Sequence, residues 1–431
     1  MSALAITGCA TGGTKQAAPA RRRVSPNEKL NIACVGVGGQ GQSDLRAVMH
    51  ENIVALCDVD ADRAATSFKN FPNTPKYSDY RVMLDTQHKD IDAVVIAIPD
   101  HMHAFVATAA LELGKHVYVE KPMAHSIAEA HKLAATARRY NAVTQMGNQG
   151  HSMPGVWTLC QMIDSGTIGA VREVQCWTNR PSWPQGLERP ADTPPVPPAL
   201  NWDVWLGSAP ERPYHPAYLP HKWRGWWDFG CCAMGDMGCH ILDPPYTSLK
   251  LGAPTRVSAE TSGINNETGP LWSVLTFEFP ARGAKPAVKL TWHDGGKLPP
   301  RPEGLAPDFR LGDKDGGSLI IGEKGSITVG TYGNGPRFLS PDQQAQWEAN
   351  APERKGAVGH QRSWTEACKG GPAPLSNFDY AAPFTEVVLL GNVAMRAGQP
   401  IEWDTAAQRV TNLPDANRFV DIPYRPGWSL R

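Results

Sequence analysis

Three things are missing from this chain, and each absence removes a class of function. There is no excess of charge of either sign: 42 basic residues balance 42 acidic ones, without a long like-charge run. Such a surface offers no broad field to nucleic acid or to an anionic membrane. No apolar run approaches the ~20 residues that span a bilayer, so no transmembrane segment is expected. The nine cysteines are odd in number and scattered, with no Cys-x-x-Cys pair, which argues against a disulfide framework.

What is abundant is tryptophan. Many of the fourteen fall between Trp157 and Trp227, in irregular, Pro-rich sequence that suits a cleft wall better than a core. The length fits two domains. At the N-terminus, "LAITGCATGGTK" (Leu4–Lys15) reads like the tail of a bacterial signal peptide with a lipobox before Cys9, although the charged n-region and most of the apolar h-region are missing. Residues 1–28 are therefore expected to be a truncated export signal and a flexible tether. That would place the protein in the periplasm or on a lipid anchor; without the signal it would be cytoplasmic.

From Leu30 the texture changes. "LNIACVGVGGQG" is a short apolar strand running into Gly36-x-Gly38-x-x-Gly41, with Gly39 and Gln40 inside the turn. The motif alone is weak, but a helix-compatible segment follows it. A second strand then ends at Asp58, 22 residues after Gly36. The glycines let backbone approach a pyrophosphate at a helix N-terminus, and the acid suits the adenosine ribose. Asp58 favours NAD over NADP, while Arg63 nearby leaves NADP possible. Strand and helix patterns alternate to about residue 150, including a capping box at Ser126 and Glu129. This rhythm predicts a doubly wound parallel sheet over 29–150, with ligands at the C-terminal strand ends. Pro99 and His103, Glu120 and Lys121, and Asn148 sit at such ends and are expected at the cofactor. Lys121 has no packing reason to be there, and Pro122 suggests a cis turn behind it.

Within "WRGWWDFGCCAMGDMGCHILD" (223–243), helical spacing puts Asp236, His240 and Asp243 along one face. Three readings are open: a metal site with Cys239, a dehydrogenase acid–base site, or a hydrogen-bonded interior. Adjacent Cys231 and Cys232 point different ways, which weighs against metal.

Taken together, GVGGQG, CDVD, IPDHMH, EKP, MGNQGH, GDMGCHILD and the late "TEVVLLGNVAMRAGQPIEWD" resemble the Gfo/Idh/MocA oxidoreductase family over about residues 30–405. The resemblance implies a Rossmann domain followed by an α/β domain (151–431) with a large, mostly antiparallel open sheet that commonly supports homo-oligomers. It implies hydride transfer between a nicotinamide cofactor, NAD and tightly bound, and a ring hydroxyl of a sugar, glycoside or cyclitol. Lys121, Asp236 and His240 become a catalytic triad, with Lys121 and His240 as the acid–base pair. The nicotinamide charge and desolvation are expected to depress the Lys121 pKa. Trp183, Trp223, Trp226 and Trp227 are expected to face the sugar, with Arg180, Arg224 and Gln149 on its hydroxyls. Some relatives are glycosidases that oxidise C3 transiently and recycle the cofactor, so net hydrolysis is an alternative; a non-catalytic nucleotide-binding sensor is a third. The Pro/Trp-rich excursion over 181–222 is too long to be idle packing.

Overall fold

A computed structural model describes residues 21–352 and 359–430. Leu4–Lys15 lies outside them. The first half runs β1 (Asn31–Val35), α1 (Gln40–Val48), β2 (Asn52–Cys57), α2 (Ala61–Asn70), β3 (Lys76–Tyr77), α3 (Tyr80–Gln87), β4 (Ala93–Ile96), α4 (His103–Glu112), β5 (His116–Val119), α5 (Ile127–Arg139) and β6 (Thr144–Met146). The strands pair in parallel in the order β3-β2-β1-β4-β5-β6. β1 and β4 are near-continuous apolar runs because helices cover both faces. The order reverses between β1 and β4, so a crevice opens at their C-terminal ends. α5 starts at the expected capping box of Ser126 and Glu129.

The second half contains α6 (Pro154–Asp164), β7 (Val171–Thr178), α7 (Trp202–Leu206), α8 (Cys232–Ile241), α9 (Asp243–Leu249), β8 (Arg256–Thr261), β9 (Ser273–Phe279), β10 (Val288–His293), β11 (Gly316–Gly322), β12 (Gly325–Gly330), β13 (Arg337–Phe338), α10 (Pro341–Asn350), α11 (His360–Cys368), α12 (Phe378–Ala397), β14 (Ile401–Asp404) and β15 (Arg409–Val410). Its nine-stranded sheet has the order β13-β12-β11-β7-β10-β9-β8-β14-β15. Only β7 and β10 pair in parallel. β9 alternates buried Leu275, Phe277 and Phe279 with more exposed neighbours, the pattern of a sheet with one face on the core.

α12 packs against α5 of the first half and α8 of the second, and one hydrophobic core runs through both. It begins at Phe378, ahead of Pro383, which reads as a helix breaker in sequence. Asn377 starts it early by accepting a hydrogen bond from Asp379 N. Among the described residues no helix is long and apolar enough to cross a membrane.

Candidate active site

The glycine turn after β1 has no room for side chains. A Cβ at Gly36 (φ 78°) would lie 2.1 Å from the Ala97 carbonyl oxygen, and one at Gly41 would lie 2.0 Å from that of Gly36. Gly39 (φ 54°) sits under the Arg63 guanidinium, 2.6 Å from where its Cβ would be. α1 starts here without a side-chain cap; Gln42 N turns back onto Gly39 O (3.2 Å), and the N–H groups of Gln40 and Gly41 ahead of it are left for an anion. Beyond β2, Asp58 accepts from Val37 N (2.9 Å) and Asp60 N (3.0 Å), and burial pushes its pKa up. A cradle that any Cβ would fill, ending in a carboxylate, fits a dinucleotide.

Gly36, Asp58, Asp60 and Arg63 line one cavity of ≈ 420 Å³, together with Gly38, Gln40, Pro99, Glu120 and Lys121, while Gly39 and Gly41 shape the turn from outside its lining. Gln149, Trp223, Arg224 and His240 complete its other end. There Lys121 Nζ donates to Asp236 Oδ1 (2.8 Å), and Arg224 Nε donates to the same oxygen (3.0 Å). Burial alone would lower the Lys121 pKa, but the Asp236 carboxylate turns the shift upward. The desolvation half of the expected depression is present, and the Asp236 carboxylate outweighs it, so the ammonium is held charged. Burial would conversely raise Asp236, yet Lys121 and Arg224 hold it well below the usual carboxylate range.

His240 is different. Burial, then the Lys121 charge, pushes its pKa down to about 3, so it is a neutral imidazole. Its Nδ1 is buried without a partner, and the residue lines the cavity. Its ring stands edge-on to Tyr332, centroids 4.7 Å apart. Glu120 accepts from Gln149 Nε2 (2.8 Å), and burial beside Asp44 pushes its carboxyl up.

Several expected residues stand behind the wall instead of on it. His103 is fully buried, with its ring nitrogens 2.7 Å from Pro122 O and 2.8 Å from Ile98 O, where it ties two strand-end turns together. Asn148 donates to Asp243 Oδ1 (3.2 Å) and accepts from Ser376. Asp243 itself stands off the cavity lining, held by Asn148 and by His151 Nδ1 (2.9 Å). The four-tryptophan wall reduces to Trp223, which stacks under the Arg224 guanidinium at 4.3 Å. Trp226 is 1% exposed and donates to Ala217 O (3.1 Å), while Trp227 is 3% exposed beneath Arg396. Apolar packing drew both rings inward. Trp183 donates to Gln185 Oε1 (3.0 Å), and Arg180 faces Asp315 at 3.7 Å; neither lines the cavity. Cys231, Cys232 and Cys239 are buried thiols whose pKa values burial raises.

Two cavity residues carried no assigned role in the sequence. Asp100 accepts from Cys231 N (3.0 Å), and burial pushes its pKa to about 7 despite Arg224 and Lys121. Its place after Pro99 at a strand end was the available signal. Tyr332 follows β12, and its turn presses on α6 so closely that a Cβ at Gly155 would lie 1.9 Å from Gly333 O. A lone tyrosine between glycines gave no warning.

Comparison with known proteins agrees with this architecture. The family model described as "Oxidoreductase family, NAD-binding Rossmann fold" matches residues 30–148, and "Oxidoreductase family, C-terminal alpha/beta domain" matches residues 160–285. Inositol 2-dehydrogenase of Salmonella typhimurium is 32% identical over 146 residues, 32% of this chain and 43% of that protein. Levoglucosan dehydrogenase of Pseudarthrobacter phenanthrenivorans is 30% identical over 173 residues, 36% of this chain and 44% of that protein. The chain thus spans less than half the length of the curated relatives it matches. The fold extends further. The Bordetella pertussis WlbA dehydrogenase, solved with NADH and UDP-GlcNAcA, superposes over 88% of this chain and 98% of its own (TM-score 0.61, 17% identity). An Azotobacter vinelandii inositol dehydrogenase homolog, solved with NADH and myo-inositol, superposes over 89% and 99% (TM-score 0.58, 16% identity). With both halves matched and the glycine cradle in place, the chain belongs to the Gfo/Idh/MocA family of NAD-binding oxidoreductases.

Proposed function

We propose that the protein transfers hydride between NAD(H) and a ring hydroxyl of a sugar, glycoside or cyclitol. The observation that carries this is that Lys121 and His240 both line the cavity that the glycine turn opens into, with Asp236 2.8 Å from the Lys121 ammonium. Named sugar and cyclitol dehydrogenases among its relatives support it.

A nicotinamide dinucleotide, when bound, supplies the two-electron acceptor for the carbinol carbon. Gly36, Gly38, Gly39 and Gly41 would hold its diphosphate and Asp58 its ribose. Asp58 and Asp60 on one wall favour NAD, since a 2′-phosphate would meet both charges, with Arg63 on the same wall the cation that would have to offset them for NADP. The chain's own residues handle the proton. Neutral His240 accepts it from the substrate hydroxyl. Lys121, kept charged by Asp236, donates to the same oxygen and stabilises the alkoxide as it forms. That new negative charge also raises the proton affinity of His240, which burial and Lys121 hold down in the free enzyme. In the reverse direction the proton returns along the same contact. Trp223 and Arg224 present a flat apolar face and a fork of donors to the ring.

The test is direct: myo-inositol, levoglucosan and aryl glycosides are offered with and without NAD⁺. Steady NADH formation from any of them supports the dehydrogenase. Aglycone release without net NADH supports net hydrolysis with a recycled cofactor. Neither, from folded protein, overturns the proposal.

A further inference from the structure

A carboxyl pair lies beneath the cavity and has no part in the proton transfers described above. Asp44, one turn into α1, is fully buried. Its Oδ1 accepts from Gln40 Nε2 (3.2 Å) and from Gln361 Nε2 of α11 (3.0 Å), while its Oδ2 is buried with no donor. The Glu120 carboxyl, which follows β5 and lines the cavity, stands within hydrogen-bonding reach of Asp44. Glu120 Oε1 accepts from Gln149 Nε2 (2.8 Å), and a Cβ at Gly147 would fall 2.3 Å from that oxygen, so only a glycine leaves room for the group.

Two carboxylates can only accept, so a bond between them needs a proton. Burial pushes Asp44 up, against the bonds from Gln361 and Gln40; burial, then the Asp44 charge, pushes Glu120 up. Cys34 of β1 and Tyr118 of β5 also face the pair, and burial keeps both neutral. Lys121 draws both carboxyls down, but its ammonium is already held by Asp236. A further positive charge at this end of the cavity would free the shared proton.

We propose that Asp44 and Glu120 hold one proton between them while the cavity is empty or holds reduced nicotinamide, and release it when the cationic, oxidised ring arrives. This rests on the dinucleotide reading above. The net proton of alcohol oxidation then leaves as NAD⁺ binds. During hydride transfer the C–H electron pair of the carbinol cancels the charge of the ring. The proton that His240 takes from the hydroxyl offsets the one the pair regains, and His240 returns to neutral. No proton is released at that step, and NADH leaves behind a pair that is again protonated.

The test measures cofactor affinity of the full chain by calorimetry from pH ~6 to ~7.5. NAD⁺ affinity should rise about tenfold per pH unit, one proton lost per cofactor bound, while NADH affinity stays flat. In infrared difference spectra NAD⁺ should erase a protonated-carboxyl band that NADH leaves in place. Asp44→Asn gives Glu120 an amide donor instead of a shared proton. Its NAD⁺ slope should flatten, its affinity at pH ~6 should rise about tenfold, and that band should be missing from the free protein. Asp100→Asn removes another raised carboxyl of the cavity and should keep the slope. Equal pH dependence for both cofactors, or a slope that survives Asp44→Asn or is lost in Asp100→Asn, overturns the shared proton. Folded wild type that binds neither cofactor overturns the dinucleotide reading instead.

Discussion

The two ends of the cleft are made of different material. The phosphate end is backbone: four glycines and free N–H groups of α1, all within about one turn of sequence. The proton-handling end is side chain: Lys121 from β5, Arg224, Asp236 and His240 from around α8, and Tyr332 from beyond β12. One end excludes atoms, and the other brings charges together. They should therefore fail differently when altered.

The largest contrast is between Lys121→Ala and Gly36→Val. The first should lower kcat by about 10²–10⁴-fold with NADH binding intact. The second should abolish NADH binding, since even a Cβ reaches 2.1 Å from Ala97 O. A Lys121→Ala enzyme with full turnover would break the comparison. Next come the tryptophans. Trp226→Ala should cost about 3–5 kcal/mol in denaturant unfolding without moving KM, whereas Trp223→Ala should raise KM for the sugar. If Trp226 moved KM instead, the cavity wall would need redrawing.

A smaller effect is expected of Asp236→Asn. Without that carboxylate Lys121 loses what raises its pKa, so the alkaline limb of the kcat profile should move down by roughly one pH unit or more. An unmoved limb would detach Lys121 from the proton chemistry. The mildest concerns stability. Asp100 and Glu129 are each held near a pKa of about 7 by burial, above the ~4 of an unfolded chain. Groups raised on folding stabilise fully below their unfolded pKa and lose that contribution as pH rises through the folded value. Burial lowers His101, His103, His116, His125, His240 and His360 to about 3–4, which opposes this slope until unfolded imidazoles are deprotonated near pH ~7.5, while Glu120, pushed up to about 8, adds to it across the whole interval. Calorimetry should therefore give a lower Tm at pH 8 than at pH 6.5, and Asp100→Asn should flatten the difference. A Tm that rises over this interval would contradict the buried neutral acids.

The same division explains what was legible in the sequence. The parallel sheet could be read strand by strand, because each strand is a local apolar run and each turn has its own chemistry, as at Gly36 and Ser126. Lys121 stood out because a lysine at a buried strand end has no packing reason. The tryptophans misled because ring size signals burial and sugar binding equally; only the backbone path separates Trp223 from Trp226. Asp243 misled because helical spacing cannot show which partners arrive from elsewhere: Asn148, His151 and Tyr380 take up its carboxylate. Tyr332 was invisible, since its place depends on contact between turns far apart in sequence.

α12 carries a consequence for the whole molecule. Because it is shared by α5 on one side and α8 on the other, neither half can shed its neighbour without uncovering a long apolar helix face. The halves are distinct in topology but not in thermodynamics. Heating should melt them in one cooperative transition, and a chain cut near residue 150 should yield no autonomously folding piece. Such a seam also discourages clam-like opening, so a sugar would enter and leave through the rim beside Trp223.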